Sequence, residues 1–283
     1  HAWQMCQGAD MLILNMNTSF GIDIAEALRI PAIMVALQPL NSTSEFPLCM
    51  YYGGDFGPAF NRLSYTAMTV QQIYYNLPRN KLRRELMGLD SRKKGGFFRN
   101  TDGTSLVTLY PYSPVVSPRP RDWPKSAIVT GYWQLKDRSD WQPSAEFQKF
   151  LSEGEAPVYI GFGSMPFGAE RNTKILKEAV AMWGGRAVVA RGWGGINPKD
   201  LPDTKPVRLR KLTSEILAGA LGDLSTNPEY RRNATDVAEK LHAEEGTDKA
   251  IKVIERVMAN YVPRTVKAKK PKKVKKPVLK RVS

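Results

Sequence analysis

Short apolar runs alternate with helical periodicity along most of the chain. ADMLILNMN (9–17) holds an apolar run that predicts a buried strand. In SFGIDIAEALRI (19–30) the apolar positions Ile22, Ala25, Ala27 and Leu28 recur at helical spacing. Pro31 stops that helix, and AIMVALQPL (32–40) predicts the next strand. A strand, a helix and a strand joined by such short connections imply a parallel sheet covered by helices. An irregular stretch rich in aromatics, Gly and Pro, NSTSEFPLCMYYGGDFGPAFNRLSY (41–65), runs into a long helical pattern over 65–89. SLVTLYPYSP (105–114) and SAIVTGYW (126–133) predict two more strands.

Residues 134–156 are polar and proline-bearing, with one short amphipathic helix carrying Phe147, Phe150 and Leu151, which is linker composition. The alternation then restarts with VYI, NTKILKEAVAMW and RAVVARGW, followed by a helical region over 213–261. Within it, NPEYRR starts a helix with Asn227 as cap and Pro228 at the first position. The expectation is an α/β chain of two Rossmann-like domains facing across a cleft. Residues 1–133 form the first domain, 134–156 the linker, 157–261 the second domain with its closing helices, and 262–283 a tail.

Composition narrows the classes. No run of about 18 apolar residues is present, so the sequence predicts no spanning helix. Cys6 and Cys49 are too few for a disulfide framework and lack metal spacing, which fits reduced thiols in a cytoplasmic protein and no metal site. The net charge of +15 is unevenly spread. Val262–Ser283 carries ten Lys or Arg and no acid, so the body has 32 basic against 27 acidic residues, a balance of +5. That arithmetic argues against a nucleic-acid-binding body. The Lys/Pro/Val tail is expected to be disordered, either solubilising or drawn to an anionic membrane surface, which would make the protein peripheral there. No aromatic is interleaved with its lysines, so base stacking has no support.

At 158–164 the strand VYI ends in Gly161, Phe162, Gly163 and Ser164, just before a helical pattern. The glycines serve a tight packing turn, or they let backbone N–H groups at a helix N-terminus approach a phosphate. The neighbouring motifs bear on that choice. GYWQL, EFQKFLSEGEAPVYIGFGSM and RAVVARGWGGI, with the upstream IAEALRIPAIMVALQPLNSTSEFP, GPAFNRLSY and LYPYSPVVSPRPRDWPKSAIVTGYW, closely resemble the bacterial and fungal sterol-type glucosyltransferases. These are grouped with the macrolide and glycopeptide glycosyltransferases, which have the two-domain GT-B fold. The likeness spans residues 9 to about 200 and resumes from LTSEIL to about Tyr261.

The resemblance implies transfer of a hexose from a nucleotide-diphosphate sugar to the hydroxyl of a lipophilic, sterol-like or polyketide-like acceptor. The UDP-sugar is a co-substrate, and no cofactor is needed. It places Gly161, Phe162, Gly163 and Ser164 against the donor diphosphate, and Arg191, Gly192 and Trp193 at the edge of the donor cleft. Gln38 and Asn41 would be acceptor-side polar groups, with Phe46, Tyr51 and Tyr52 among the aromatics that line an apolar acceptor pocket. Asn15 and Asn17 read as turn or cap residues, and Asp122 and Trp123 as linker anchors.

Two family features are absent from the sequence. The family's catalytic base is a histidine in a Gly-rich opening unit, and neither His1 nor His242 matches it, so the catalytic residue is unknown. Between GGINPKDLPD and KPVRLRKLTSEIL there is no VPH-type loop, no HHGGAGTT-like donor motif and no GDQ-type motif. The expectation is a chain truncated at its N-terminus and lacking roughly two βαβ units of about 30 residues each. The alternative is a non-catalytic relative, a lipophilic-ligand-binding or membrane-associated module.

Overall fold

The computed structural model describes residues 1–51, 55–92, 96–134, 142–161, 168–190 and 213–263, and every structural statement below concerns these. Tyr52, Phe162, Gly163, Ser164, Arg191, Gly192, Trp193 and the tail from 264 onward lie outside them. The chain divides into two compact units, His1–Leu135 with Lys240–Ser283, and Lys136–Glu239.

The first unit starts with a helical turn, α1 (Ala2–Met5), then β1 (Leu12–Asn15), a 3-10 turn (Met16–Thr18), α2 (Gly21–Leu28) and β2 (Ala32–Val35). Next come α3 (Pro58–Ser64), the long α4 (Thr66–Leu86), β3 (Thr108–Tyr110) and β4 (Ala127–Val129). The four strands form one sheet in the order β1-β2-β3-β4, with every pair parallel. Alternate side chains serve opposite faces, as the pleat requires. Met34 joins Leu12, Leu14, Ile22, Ile24 and Leu106, while Ile33 and Leu109 face the other way.

That other face is covered by α9 (Gly246–Ala259), whose Ala250 and Val253 pack on Ile33 and Leu109. Periodicity marks α9 as amphipathic but cannot say which sheet its apolar stripe meets. Sequence order suggested the second half, whereas the stripe lies on the first unit. Gly246 makes the approach feasible: a Cβ there would sit 2.3 Å from the carbonyl oxygen of Tyr132. Glu244, just before α9, accepts from the Ser113 hydroxyl and, at 3.3 Å, from the Tyr132 N–H.

The second unit contains α5 (Ala145–Ser152), β5 (Val158–Gly161), α6 (Ala169–Trp183), β6 (Ala187–Ala190), α7 (Ser214–Thr226) and most of α8 (Pro228–His242). β5 and β6 pair in parallel, with Val158 opposite Ala187 and Gly161 opposite Ala190. Ile175, Leu176, Ala179 and Val180 of α6 meet Ile160 of β5 and Leu217 and Leu221 of α7 in one core. Gly184 ends α6 in the left-handed conformation, its N–H donating to the Val180 carbonyl at 2.8 Å. Asn227 caps α8 as its sequence predicts, its side chain accepting from the Glu229 N–H at 3.0 Å. Arg186 donates to the carbonyls of Phe150, Glu153 and Glu155, which ties the C-terminal end of α5 to the β6 side of this unit.

Candidate functional site

In a parallel sheet, the carboxyl ends of the strands are where ligands sit. At that edge of the first unit, β1 ends in Asn15, whose side chain accepts from the Thr18 N–H at 3.1 Å. Thr18 returns the bond, its hydroxyl accepting from the Asn15 N–H at 3.0 Å. This reciprocal cap turns the chain sharply and presents Asn17, Ser19 and Phe20 beyond the strand. β2 exits into Gln38 and Leu40, and α4 crosses above.

Together these segments enclose an apolar cavity of about 770 Å³. Met16, Phe20, Leu40, Met50, Met68 and Phe97 supply apolar wall, and Tyr75, Pro78 and Leu82 supply the α4 side. Its few polar groups include Asn17, Ser19, Gln38 and Gln71. A mostly apolar cavity of a few hundred Å³ with a polar minority suits a rigid lipophilic molecule bearing one hydroxyl.

Buried charges hold α4 in place over this cavity. Asp23 of α2 is 1% exposed and is bound by both Arg79 and Arg83 of α4. Arg83 Nη1 lies 2.6 Å from Asp23 Oδ1 and 2.7 Å from Glu26 Oε2, and its Nε donates to the Asp90 carbonyl at 2.8 Å. Burial alone would lower the Arg83 pKa, but Glu26 and Asp23 outweigh it and raise it, so the guanidinium stays charged. Arg79 Nη2 also donates to the Ser19 carbonyl at 3.1 Å, fixing the turn at the cavity mouth.

A second network shapes the loop after β2. The Tyr110 hydroxyl donates to Asn41 Oδ1 and accepts from the Asn41 N–H at 3.0 Å, while the Trp123 indole N–H donates to the Asn41 carbonyl at 3.0 Å. Asp122 accepts from the Thr43 hydroxyl at 2.6 Å, the Ser44 N–H at 2.8 Å, the Ser44 hydroxyl at 2.9 Å and Arg62 Nη2 at 3.1 Å. Burial pushes the Asp122 carboxyl up, but these donors prevail and hold it well below the usual carboxylate range. Asp122 and Trp123 are therefore anchors, and what they anchor is the 41–44 loop.

The expected acceptor-side residues part company here. Gln38 lines the large cavity. Asn41 is buried, is held by Tyr110 and Trp123, and borders a neighbouring cavity of about 550 Å³. Phe46 and Tyr51 are not in the wall of the large cavity; Tyr51 stacks edge-on against Phe60 at 5.2 Å. The apolar wall from α4 and the 3-10 turn was missed, although Tyr75, Pro78 and Leu82 share one side of a helix by their spacing alone.

In the second unit, Gly161 ends β5, where a Cβ would meet the Tyr159 hydroxyl at 3.1 Å and Ala190 at 3.4 Å. α6 begins only at Ala169, after Gly168 in the left-handed conformation, so the helix N-terminus lies well beyond Ser164 in the chain. Neither histidine lies in the wall of the large cavity, and His242 is exposed at the end of α8. Among the described residues, no cluster of His, Cys, Asp and Glu is arranged to hold a metal ion.

No protein-family model matches the chain. Over 209 residues it is 34% identical to a sterol 3-beta-glucosyltransferase of Cryptococcus neoformans, a match covering 68% of this chain and 13% of that protein. It is 32% identical over 201 residues to a sterol 3-beta-glucosyltransferase of Leptosphaeria maculans, covering 68% and 13%. The sterol 3-beta-glucosyltransferase of Arabidopsis thaliana is 32% identical over 203 residues, covering 68% and 31%. The chain thus spans less than a third of the length of these relatives. Their similarity implies a GT-B fold, in keeping with the parallel α/β architecture. By this similarity the chain belongs to the sterol-type glycosyltransferase family.

Proposed function

We propose that the protein takes part in glucosyl transfer from a nucleotide-diphosphate sugar to the hydroxyl of a sterol, and that the first unit binds the sterol. The observation that carries this reading is the apolar cavity of about 770 Å³ at the carboxyl ends of the strands. A sterol's fused rings offer only apolar surface, which Phe20, Met68, Leu82 and Phe97 match. Its one hydroxyl needs a polar partner, and Gln38, Asn17 and Ser19 supply candidates. Every relative named above is named as a sterol enzyme, so these relatives lend no support to a polyketide-like acceptor or to a purely ligand-binding or membrane-associated module.

The stretch from Gly161 to Ser164 is the proposed diphosphate contact, with Arg191, Gly192 and Trp193 at the donor edge. Backbone N–H groups of such a glycine-containing stretch would stabilise the leaving diphosphate without a metal. Equilibrium titration with a fluorescent sterol tests the acceptor half. The chain should bind it saturably, and Leu82→Glu should weaken binding at least about tenfold by placing a charge in the apolar wall. Non-saturable binding, or binding unchanged by Leu82→Glu, would exclude this cavity as the acceptor site.

A further inference from the structure

α4 carries a second apolar surface that the cavity does not use. Val70, Ile73, Tyr74 and Leu77 follow i, i+3, i+4, i+7 spacing and are between 63% and 80% exposed. The opposite side of the helix buries Met68, Gln72, Arg79 and Arg83. Scattered exposed apolar residues are ordinary, but four large ones in a continuous stripe mark a contact surface. One turn further on, the same face continues into exposed Lys81 and Arg84, with Glu85 as the adjacent acid. Tyr75 and Leu82, which line the cavity and are about half exposed, lie on the neighbouring face of the helix. Apolar surface therefore runs from the stripe to the cavity mouth.

We infer that this outward face of α4 docks on an anionic lipid surface, with Val70, Ile73, Tyr74 and Leu77 entering the headgroup region and Lys81 and Arg84 meeting lipid anions. A helix lying in the interface has this layout, one apolar face with basic residues beside it. The full chain's net charge of +15, ten of it in the tail and +5 in the body, favours approach to such a surface. A second copy of the chain fits poorly, because Val70 to Leu77 spans only about 10 Å of helix. Two such stripes would cover far less than the roughly 1,600 Å² of a stable interface. The docking stands on these exposures and on the basic residues beside them; that it delivers a sterol to the cavity rests on the function proposed above.

Co-sedimentation of the full chain with vesicles of phosphatidylcholine, with and without phosphatidylserine, tests the inference. Ile73→Gln with Leu77→Gln should lower partitioning onto mixed vesicles about tenfold at both low and high salt, since burial of apolar surface is not screened. Lys81→Glu with Arg84→Glu should lower it at low salt only. All four positions are exposed, and an unchanged circular dichroism spectrum would verify the fold. If the Ile73/Leu77 variant binds like the original chain, attachment comes from elsewhere, such as the basic tail, and the inference fails. It fails equally if gel filtration shows self-association that this variant abolishes while vesicle binding persists. Neither readout involves turnover or sterol binding, so docking and the acceptor reading stand or fall separately.

Discussion

Arg83 Nη1 lies 2.6 Å from Asp23 Oδ1, in a pair so enclosed that Arg83 is 4% and Asp23 1% exposed. The pair joins α4 to α2 and so fixes the helix that roofs the apolar cavity. Removing one partner of a buried pair leaves the other charge stranded. Asp23→Asn, which takes the shared carboxylate from both Arg79 and Arg83, should therefore cost about 3–5 kcal/mol, read as a lower denaturant midpoint. Glu26→Gln should cost much less, because Asp23 remains and Glu26 is partly exposed. Equal losses in the two variants would show that the pair does not act as described.

Gly246 and Gly219 should respond in opposite ways to the same substitution. A Cβ on Gly246 would press on the Tyr132 and Gly131 backbone at 2.3 and 2.6 Å, whereas one on Gly219 of α7 meets nothing within 4 Å. Gly246→Ala should destabilise by about 1–3 kcal/mol as α9 is pushed off the sheet. Gly219→Ala should stabilise by about 0.5–1 kcal/mol through helix propensity. Thermal unfolding of both variants checks this; a stabilised Gly246→Ala would contradict the packing of α9.

Asp122 links acidity to the shape of the 41–44 loop. Its folded pKa is depressed, so its stabilisation is complete above the unfolded value of about 3.9 and is lost as pH falls through the folded value. Asp122→Asn should lower stability at neutral pH by about 1–3 kcal/mol and flatten the acid limb of the stability curve below about pH 4. An acid limb identical to that of the original chain would remove Asp122 from this role.

Expressed alone, the polypeptide should show little or no glucosyl transfer from UDP-glucose to a sterol. Its sequence holds no HHGGAGTT-like donor motif and no histidine matching the family's base. General base catalysis alone is typically worth about 10² to 10⁴-fold. Mass spectrometric detection of steryl glucoside above background, accumulating with turnover, would contradict this expectation.

The fold was legible where periodicity and location coincide. The runs that became β1, α2 and β2 are apolar at period-specific positions and bounded by Pro31 and polar residues, and the Asn227–Pro228 pair announces α8. Contacts distant in sequence were not legible. Nothing local tells that α9 returns to Ile33 and Leu109, or that Asn41 is held by Tyr110 and Trp123 across 69 and 82 positions. The site suffered for the same reason. Aromatic richness drew attention to Phe46 and Tyr51, whereas the cavity is walled by aliphatic, Met and aromatic residues that five separate segments bring together. Of the described residues expected on the acceptor side, only Gln38, at the end of a readable strand, lines this cavity.

Photo-crosslinking with a diazirine sterol, followed by peptide mapping, tests most directly that the cavity beneath α4 is the acceptor site. The label should fall on peptides containing Met68, Tyr75, Leu82 or Phe20 and be displaced by excess unlabelled sterol. Label confined to other peptides, or label that excess sterol fails to displace, would contradict the assignment.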